Sequence, residues 1–315
     1  MSRRPSESPP TGGSNIPFPG LPASTDTRVA WAPAKVNLHL EVLGKRPDGF
    51  HAIETLILAV DLFDTLELRR TPSSVIELTC EPDTLPNGPG NLVWKAAEAL
   101  RIATGTTQGA TIRLTKRIPH EAGLGGGSSD AATTLAALNE LWNRNQTVGQ
   151  LNAIAATIGS DVGFFLCPPA AWCTGRGEVV EPVTVGGEFQ LVLVKPPVGC
   201  PTAEVYRRVL VPTQPKSGEA ARDALATGDA ERLAHCLHNR LQAAAFALRP
   251  EVEAVHTRLS GCRPLACLLS GSGSSVFALG RDRADTVRIA REYIRFCEPD
   301  GLSDRVFVVR SVRLP

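Results

Sequence analysis

Apolar and polar residues alternate along most of the first half of the chain, and this period of two is typical of strands. The segment VNLHLEVLGK places Val36, Leu38, Leu40 and Val42 on one face. AIETLILAVD, DTLELRR, VIELTC and ATIRLTKRI are predicted as further strands. NLVWKAAEALRIAT instead carries its apolar residues at helical spacing and predicts a helix.

The second half changes to longer helical segments separated by short strands. TTLAALNELW predicts an amphipathic helix, and LNAIAATIG predicts a second helix that ends at Gly159. Further helices are predicted at about 203–210, 230–246, 251–259 and 284–296. WCTGRGEVVEPV, FQLVLVKPP, PLACLLS, VFALG and RVFVVRSV are predicted as strands, with GSGSS as the loop of a hairpin.

This order of elements predicts an α+β protein of two domains, 28–170 and 171–315, with a boundary between about residues 167 and 182. Residues 1–27 are dense in Pro, Ser and Gly and lack the apolar core of a signal peptide. A segment of this composition buries too little apolar surface to order itself, so we expect a disordered tail.

The composition excludes several classes of protein. The 315 residues are 43% hydrophobic and 21% charged, with a net charge of +1, which is ordinary for a soluble globular protein and argues against nucleic acid as a partner. No apolar run approaches the length of a membrane span. The eight cysteines form no C-x-x-C pair, so we expect reduced thiols in a cytoplasmic protein and no zinc site. Whether it is a monomer or a homodimer stays open.

The most informative stretch is RIPHEAGLGGGSSDAA, in which four glycines precede a predicted helix. It lacks the Lys-Ser or Lys-Thr of a Walker A loop and the sixth-position glycine of a dinucleotide fingerprint. The residues from Gly123 to Gly127 nevertheless allow backbone N–H groups to curl around an anion, and Ser128 or Ser129 offers a helix cap. Phosphate binding and a tight turn with close helix packing are both compatible with this pattern.

Three stretches in order carry a resemblance to a known family. APAKVNL, PHEAGLGGGSSDAA and LSGSGSSVFAL resemble the first, second and third motifs of the GHMP small-molecule kinases. The resemblance implies an N-terminal domain like ribosomal protein S5 domain 2, a ferredoxin-like C-terminal domain, and an active site in the cleft between them.

Two more stretches indicate a branch of this family. KVNLHLEVLGKRPDGFHAIET and IGSDVGFFL are similar to the kinases of the non-mevalonate isoprenoid pathway, whose small-molecule substrate carries a cytidine diphosphate group. The resemblance therefore implies transfer of the ATP γ-phosphoryl group to the 2-hydroxyl of a methylerythritol unit. Mevalonate or homoserine kinase activity is the alternative, and a non-catalytic nucleotide sensor on the same fold is a further one.

The resemblance also assigns residues. It makes Asp161 the catalytic base and Lys35 the cation beside it. On the nucleotide side it implies ATP with Mg²⁺ and a contact between Ser129 and the metal. On the substrate side it implies two aromatic rings that stack on cytosine, a histidine that hydrogen-bonds the cytosine, and an asparagine that contacts the substrate. The nucleotide residues are Asn91, Pro119, Gly123, Leu124, Gly125, Gly126, Gly127, Ser128 and Ser129; the substrate residues are Asn37, Phe50, His51 and Tyr206. Without the resemblance, Phe50 and Tyr206 would be interpreted as core residues and Asp161 as an ordinary helix-end aspartate.

Overall fold

The computed structural model describes residues 20–21, 25–167, 169–298, 301 and 303–312. Residues 1–19 and 22–24 of the predicted tail lie outside this description. Within the tail, Gly20–Leu21 pair with the next strand, which itself begins at Thr27.

Two long antiparallel strands dominate the first sheet. The predicted strands AIETLILAVD and DTLELRR are one continuous strand of 21 residues, and its partner has 19. Register shifts, for example between Pro33 and Ala34, let this pair bend without breaking. Within the described residues, the sheet order is β1-β2-β3-β5-β4, with β6 beside β3, β7 beside β6 and β9 beside β2. The strands are β1 (Gly20–Leu21), β2 (Thr27–Lys45), β3 (His51–Thr71), β4 (Ile76–Glu81), β5 (Gly109–Thr115), β6 (Ala170–Thr174), β7 (Val179–Pro182) and β9 (His238–Asn239).

Three helices contribute to the core of this sheet: α1 (Leu92–Thr104), α2 (Gly126–Leu141) and α3 (Val148–Ile158). The sequence pattern predicted α2 to be amphipathic, but the helix is buried on nearly every side. Its second face consists of alanines such as Ala131 and Ala132, which are fully buried. Small side chains let the helix approach its neighbours closely, so the absence of large apolar residues there did not indicate exposure.

The second sheet has the antiparallel order β10-β11-β8-β12 and is covered on both faces. Along β8, Leu191 and Leu193 join a core shared with the first sheet, whereas Val192 and Val194 join a core beneath α8 and α9. This is the period of two expected for a buried strand. The strands are β8 (Gln190–Lys195), β10 (Ala266–Leu269), β11 (Val276–Gly280) and β12 (Arg305–Arg310), and the helices of this half are α4 (Thr202–Arg208), α5 (Glu219–Thr227), α6 (Ala230–Cys236), α7 (Gln242–Leu248), α8 (Pro250–Gly261) and α9 (Arg283–Cys297).

The predicted single helix 230–246 was wrong, because α6 and α7 are separated by an extended segment. Asn239 in that segment donates to the carbonyl oxygens of Leu269 and Gly271, both at 2.8 Å. The segment also pairs with β2 as β9. These tertiary bonds offset the loss of helical hydrogen bonds, and they connect the two sheets next to the predicted hairpin loop. Helix α5 was not predicted.

The proposed boundary after residue 170 falls at the start of β6, whereas β6 pairs with β3 and β7 pairs with β6 in the first sheet. The boundary itself stays a prediction. None of the helices in the described part of the chain is long and apolar enough to cross a membrane.

Candidate active site

The glycine loop runs from the end of β5 to the first residue of α2. Gly123 and Gly125 both have φ of +70°, a conformation that residues with a Cβ rarely adopt. A Cβ on Gly123 would lie 2.0 Å from the carbonyl oxygen of Ser270, and one on Gly125 would lie 2.9 Å from Cζ of Phe165. Close approach by neighbouring chain segments therefore explains part of the glycine content.

The β10–β11 hairpin loop supports the glycine loop from one side. The Ser270 hydroxyl donates to the carbonyl oxygen of Gly123 at 2.9 Å, and the Ser275 N–H donates to the carbonyl oxygen of Ala122 at 3.1 Å. Gly271, Ser272 and Gly273 of this loop also line the adjacent cavity. The loop thus joins the two halves of the molecule at the site.

The expected serine cap of α2 was wrong. The helix begins at Gly126 with Gly125 as its N-cap, and no side chain caps it. Ser128 lies in the first turn and lines the cavity, whereas Ser129 is fully buried. A first turn without a side-chain cap keeps its N–H groups available for an anion, which is the arrangement that binds phosphate at helix N-termini.

Lys35 and Asp161 meet beside this loop. The Lys35 ammonium donates to Oδ1 of Asn37 at 2.6 Å and to the carbonyl oxygen of Gly123 at 2.8 Å. It lies 3.8 Å from Oδ2 of Asp161, which follows α3 and Gly159. Asn37 is oriented in turn by donating to the Thr55 hydroxyl at 2.8 Å.

The electrostatics of this pair are set by unequal burial. Burial lowers the pKa of Lys35 below its usual range, and the negative charge of Asp161 opposes that shift. The Asp161 side chain is 38% exposed while that of Lys35 is 4% exposed. Asp161 therefore faces the cavity, and Lys35 lies behind it as a fixed positive charge.

Aromatic residues occupy the other end of the cavity. The rings of His51 and Tyr206 are 5.3 Å apart, and Phe50 is 51% exposed next to them. Burial, with a smaller contribution from the charge of Lys45, lowers the pKa of His51, so its ring is neutral at pH 7. A neutral imidazole has one donor and one acceptor nitrogen, which suits it to the edge of a base.

Sequence reasoning missed Arg176 on the β6–β7 hairpin. Its guanidinium lies 4.8 Å from the centroid of the Phe50 ring, and the side chain lines the cavity. The two glycines of the TGRG turn were the available signal in the sequence, because glycine permits the positive φ that Gly175 and Gly177 both adopt. Nothing in the sequence indicated which strand this turn would approach.

These parts surround a cavity of about 1140 Å³. Three of the nucleotide-side residues do not line it. Asn91 caps α1, with Oδ1 accepting the N–H of Val93 at 2.9 Å, and Gly126 and Ser129 face the protein interior. The other predicted residues line it: Lys35, Asn37, Phe50, His51, Pro119, Gly123, Leu124, Gly125, Gly127, Ser128, Asp161 and Tyr206.

Few side chains of the site are placed to ligate Mg²⁺. Within the described residues, no group of three or more His, Cys, Asp or Glu side chains is placed to hold a metal. The Ser129 hydroxyl has no hydrogen-bond partner in the described part of the chain, but it is buried away from the cavity. Asp161, Glu121 and Ser128 are among the side chains with oxygen donors that line the cavity. Few protein ligands are compatible with Mg²⁺, which commonly keeps several waters and binds substrate phosphates.

The comparisons with known proteins agree with this architecture. Residues 91–168 match the model of the GHMP kinases N terminal domain, and residues 221–298 match that of the GHMP kinases C terminal. The 4-diphosphocytidyl-2-C-methyl-D-erythritol kinase of Pelotomaculum thermopropionicum is 44% identical over 268 residues, which cover 84% of this chain and 93% of that one. The chain belongs to the GHMP kinase family.

Other relatives define the extent of the likeness. The enzyme of the same name from Bacillus velezensis is 38% identical over 282 residues, covering 89% of this chain and 96% of that one. A crystal structure of 4-(cytidine 5'-diphospho)-2C-methyl-D-erythritol kinase superimposes with a TM-score of 0.76 at 34% identity, covering 90% of this chain and all of that one (100%). The homoserine kinase of Cytophaga hutchinsonii superimposes with a TM-score of 0.72 at 21% identity, covering 93% and 97%, which shows a common fold.

Proposed function

We propose that the protein is an ATP-dependent kinase that phosphorylates the 2-hydroxyl of 4-diphosphocytidyl-2-C-methyl-D-erythritol in the cytoplasm. The observation that carries this proposal is the Lys35–Asp161 pair, 3.8 Å apart, between the glycine loop and the ring pair of His51 and Tyr206. One cavity therefore contains residues for phosphate binding, for removal of the hydroxyl proton and for recognition of the acceptor. The identity to relatives named for this activity supports the choice of substrate.

The phosphate end of the cavity is the glycine loop with the first turn of α2. Backbone N–H groups there bind the ATP phosphates, and the Ser128 hydroxyl adds a donor. Bound Mg²⁺ would neutralise phosphate charge, and Asp161 and Ser128 are candidate protein donors that line the cavity. Asn91 and Ser129 stay weaker candidates, because neither lines the cavity.

At the reacting centre, Asp161 takes the proton of the substrate hydroxyl. The hydroxyl oxygen then forms a bond to the γ-phosphorus as the bond from that phosphorus to the ADP oxygen breaks. Lys35 stabilises the negative charge on the attacking oxygen, and Asn37 with the Gly123 carbonyl holds its ammonium in place. Positioning and charge supply most of the rate in such transfers.

At the far end, the exposed Phe50 ring and the ring of Tyr206 stack on the cytosine, while neutral His51 bonds its edge. Arg176 above Phe50 provides a positive charge near the same position. Mevalonate and homoserine contain no nucleobase, so these side chains would have no ligand in either alternative activity.

The test is ADP release, coupled to NADH oxidation, with the cytidyl substrate, mevalonate or homoserine as the acceptor. We expect turnover with the cytidyl substrate alone, and phosphorus NMR of its product should show a new monophosphate ester. Turnover with mevalonate or homoserine and none with the cytidyl substrate would overturn the substrate assignment. ATP binding without turnover on any acceptor would favour a nucleotide sensor.

A further inference from the structure

A charged cluster lies beneath the glycine loop, outside the lining of the cavity. It consists of Asp64 on β3, Lys116 directly after β5 and Asp130 in α2. The side chains of Asp64 and Asp130 are 0% and 2% exposed, and that of Lys116 is 11% exposed. Buried charges are costly to place, so a cluster of three needs a physical explanation.

Asp64 holds the beginning of the loop. Its Oδ1 accepts the N–H groups of Arg117 at 2.5 Å and Ile118 at 2.9 Å, and its Oδ2 accepts the Lys116 ammonium. These bonds fix the chain where it leaves β5 and turns towards Gly123. Because β3 belongs to the central pair of long strands, Asp64 is a rigid anchor.

Lys116 connects that anchor to the helix. Its ammonium donates to Oδ2 of Asp130 at 2.7 Å. A Cβ on Gly126, the first residue of α2, would lie 3.1 Å from this ammonium. A cation next to a helix N-terminus is unfavourable, since that end of the helix is itself positive. Asp64 and Asp130 accept hydrogen bonds from the ammonium and keep it in place.

We propose that Asp64, Lys116 and Asp130 form a positioning cluster that holds both ends of the phosphate loop in the conformation that binds ATP. The inference rests on the proposed use of this loop for ATP phosphates. The cluster touches neither ATP nor acceptor, and it acts through the backbone of residues 117–126.

The charge balance of the cluster agrees with this role. Burial raises the pKa of Asp130 to about 8, Lys116 partly opposes the shift, and Asp64 adds to it. Cys80 on β4 also lies within electrostatic range, and burial raises the pKa of its thiol. The raised pKa of Asp130 reduces the negative charge that this side chain carries near neutral pH, so the cluster places less negative charge beneath a phosphate site.

The test compares Asp130→Ala with Asp130→Asn. Both remove the carboxylate, but only the asparagine retains an oxygen that accepts from Lys116. Lys116→Gln is a second variant that breaks the link from the other side. The control is Asn139→Ala, because Asn139 is a buried polar residue on the same helix that holds its far end through Gln146. Each protein is titrated calorimetrically with a non-hydrolysable ATP analogue and Mg²⁺, then assayed for kcat and both KM values.

Asp130→Ala and Lys116→Gln should raise the Kd of the analogue and the KM for ATP about tenfold. Both variants should keep kcat and the KM for the cytidyl substrate within about twofold of the wild-type values. Asp130→Asn should retain wild-type affinity, and Asn139→Ala should lower Tm without changing affinity. Unchanged affinity in Asp130→Ala and Lys116→Gln, or an equal loss in Asn139→Ala, would overturn the inference.

Two results separate this inference from the proposed function. If the wild-type protein fails to phosphorylate the cytidyl substrate while the Kd pattern holds, the substrate is wrong and the cluster is right. If neither disruptive variant folds, amide exchange of the wild-type protein decides. The amides of Arg117 and Ile118 should gain protection when the analogue binds, and unchanged protection counts against the cluster.

Discussion

The most direct test of the site is Asp161→Asn, which removes the proposed base while conserving the shape of the side chain. The carboxylate lies 3.8 Å from the Lys35 ammonium, and its side chain is 38% exposed. Removing it leaves Lys35 bonded to Asn37 and Gly123. The fold should therefore survive, and a defect should appear in the chemical step.

Two effects set the size of the defect. Loss of a general base lowers kcat by roughly 10²–10⁴-fold. Loss of the countercharge acts on Lys35: an ion pair about 4 Å apart contributes about 4 kcal/mol at an effective dielectric constant of 20. Because 38% of the Asp161 side chain is exposed, solvent screening reduces this contribution to about 1 kcal/mol. The pKa of Lys35, already lowered by burial, should fall further in the variant, because the negative charge of Asp161 opposes that shift in the wild-type protein.

The assay is coupled ADP release with saturating ATP and the cytidyl substrate, measured from pH 6 to pH 10. We expect kcat of Asp161→Asn to be reduced by at least about 10²-fold, with Tm unchanged. The alkaline decline of activity, where Lys35 loses its proton, should move to lower pH in the variant. Glu181→Gln is the control, because Glu181 is an exposed carboxylate paired with Arg222 outside the cavity. A folded Asp161→Asn protein with kcat within about threefold of wild type would refute Asp161 as the base.

Three further predictions concern other parts of the site. Gly123→Ala should raise the KM for ATP at least about tenfold, because its Cβ would lie 2.0 Å from the Ser270 carbonyl oxygen; an unchanged KM would contradict the proposed role of this turn in binding ATP. Tyr206→Leu should raise the KM of the cytidyl substrate about tenfold, since a base stack contributes about 1–3 kcal/mol, and leave the KM for ATP unchanged; equal changes in both would argue against stacking. The third prediction concerns stability. Because the folded pKa of Asp130 is raised to about 8 from 3.8, the folded state binds more protons between these values, so wild-type stability relative to Asp130→Asn should decline as pH rises through that window. Urea unfolding of both proteins at several pH values measures the difference, and a pH-independent difference would contradict the raised pKa.

The sequence predicted correctly those elements whose structure depends on interactions between residues close together in the chain. Helix α1 was predicted from its spacing, and its N-cap Asn91 and left-handed C-cap Gly105 explain its ends. The β10–β11 hairpin was predicted from two alternating segments around GSGSS. The glycine loop was identified by composition, because few other reasons exist to place four glycines before a helix.

Errors arose where distant segments compete with local preference. The predicted helix 230–246 breaks because Asn239 bonds the hairpin loop and β9 pairs with β2. The two strands predicted within 51–71 are one, because β2 provides a continuous partner. The serine cap was wrong because Gly125 occupies the cap position and leaves the first-turn N–H groups without a side-chain partner.

The sequence by itself determined the elements, the loop chemistry and, through three ordered motifs, the family. Only the tertiary structure decided which side chains meet. It brought Lys35 to within 3.8 Å of Asp161, placed Arg176 over Phe50, and turned Asn91 and Ser129 away from the cavity. It also brought together Asp64 of β3, Lys116 directly after β5 and Asp130 of α2. Periodicity records which face of an element is buried, but the pairing of buried charges depends on packing between elements far apart in the chain.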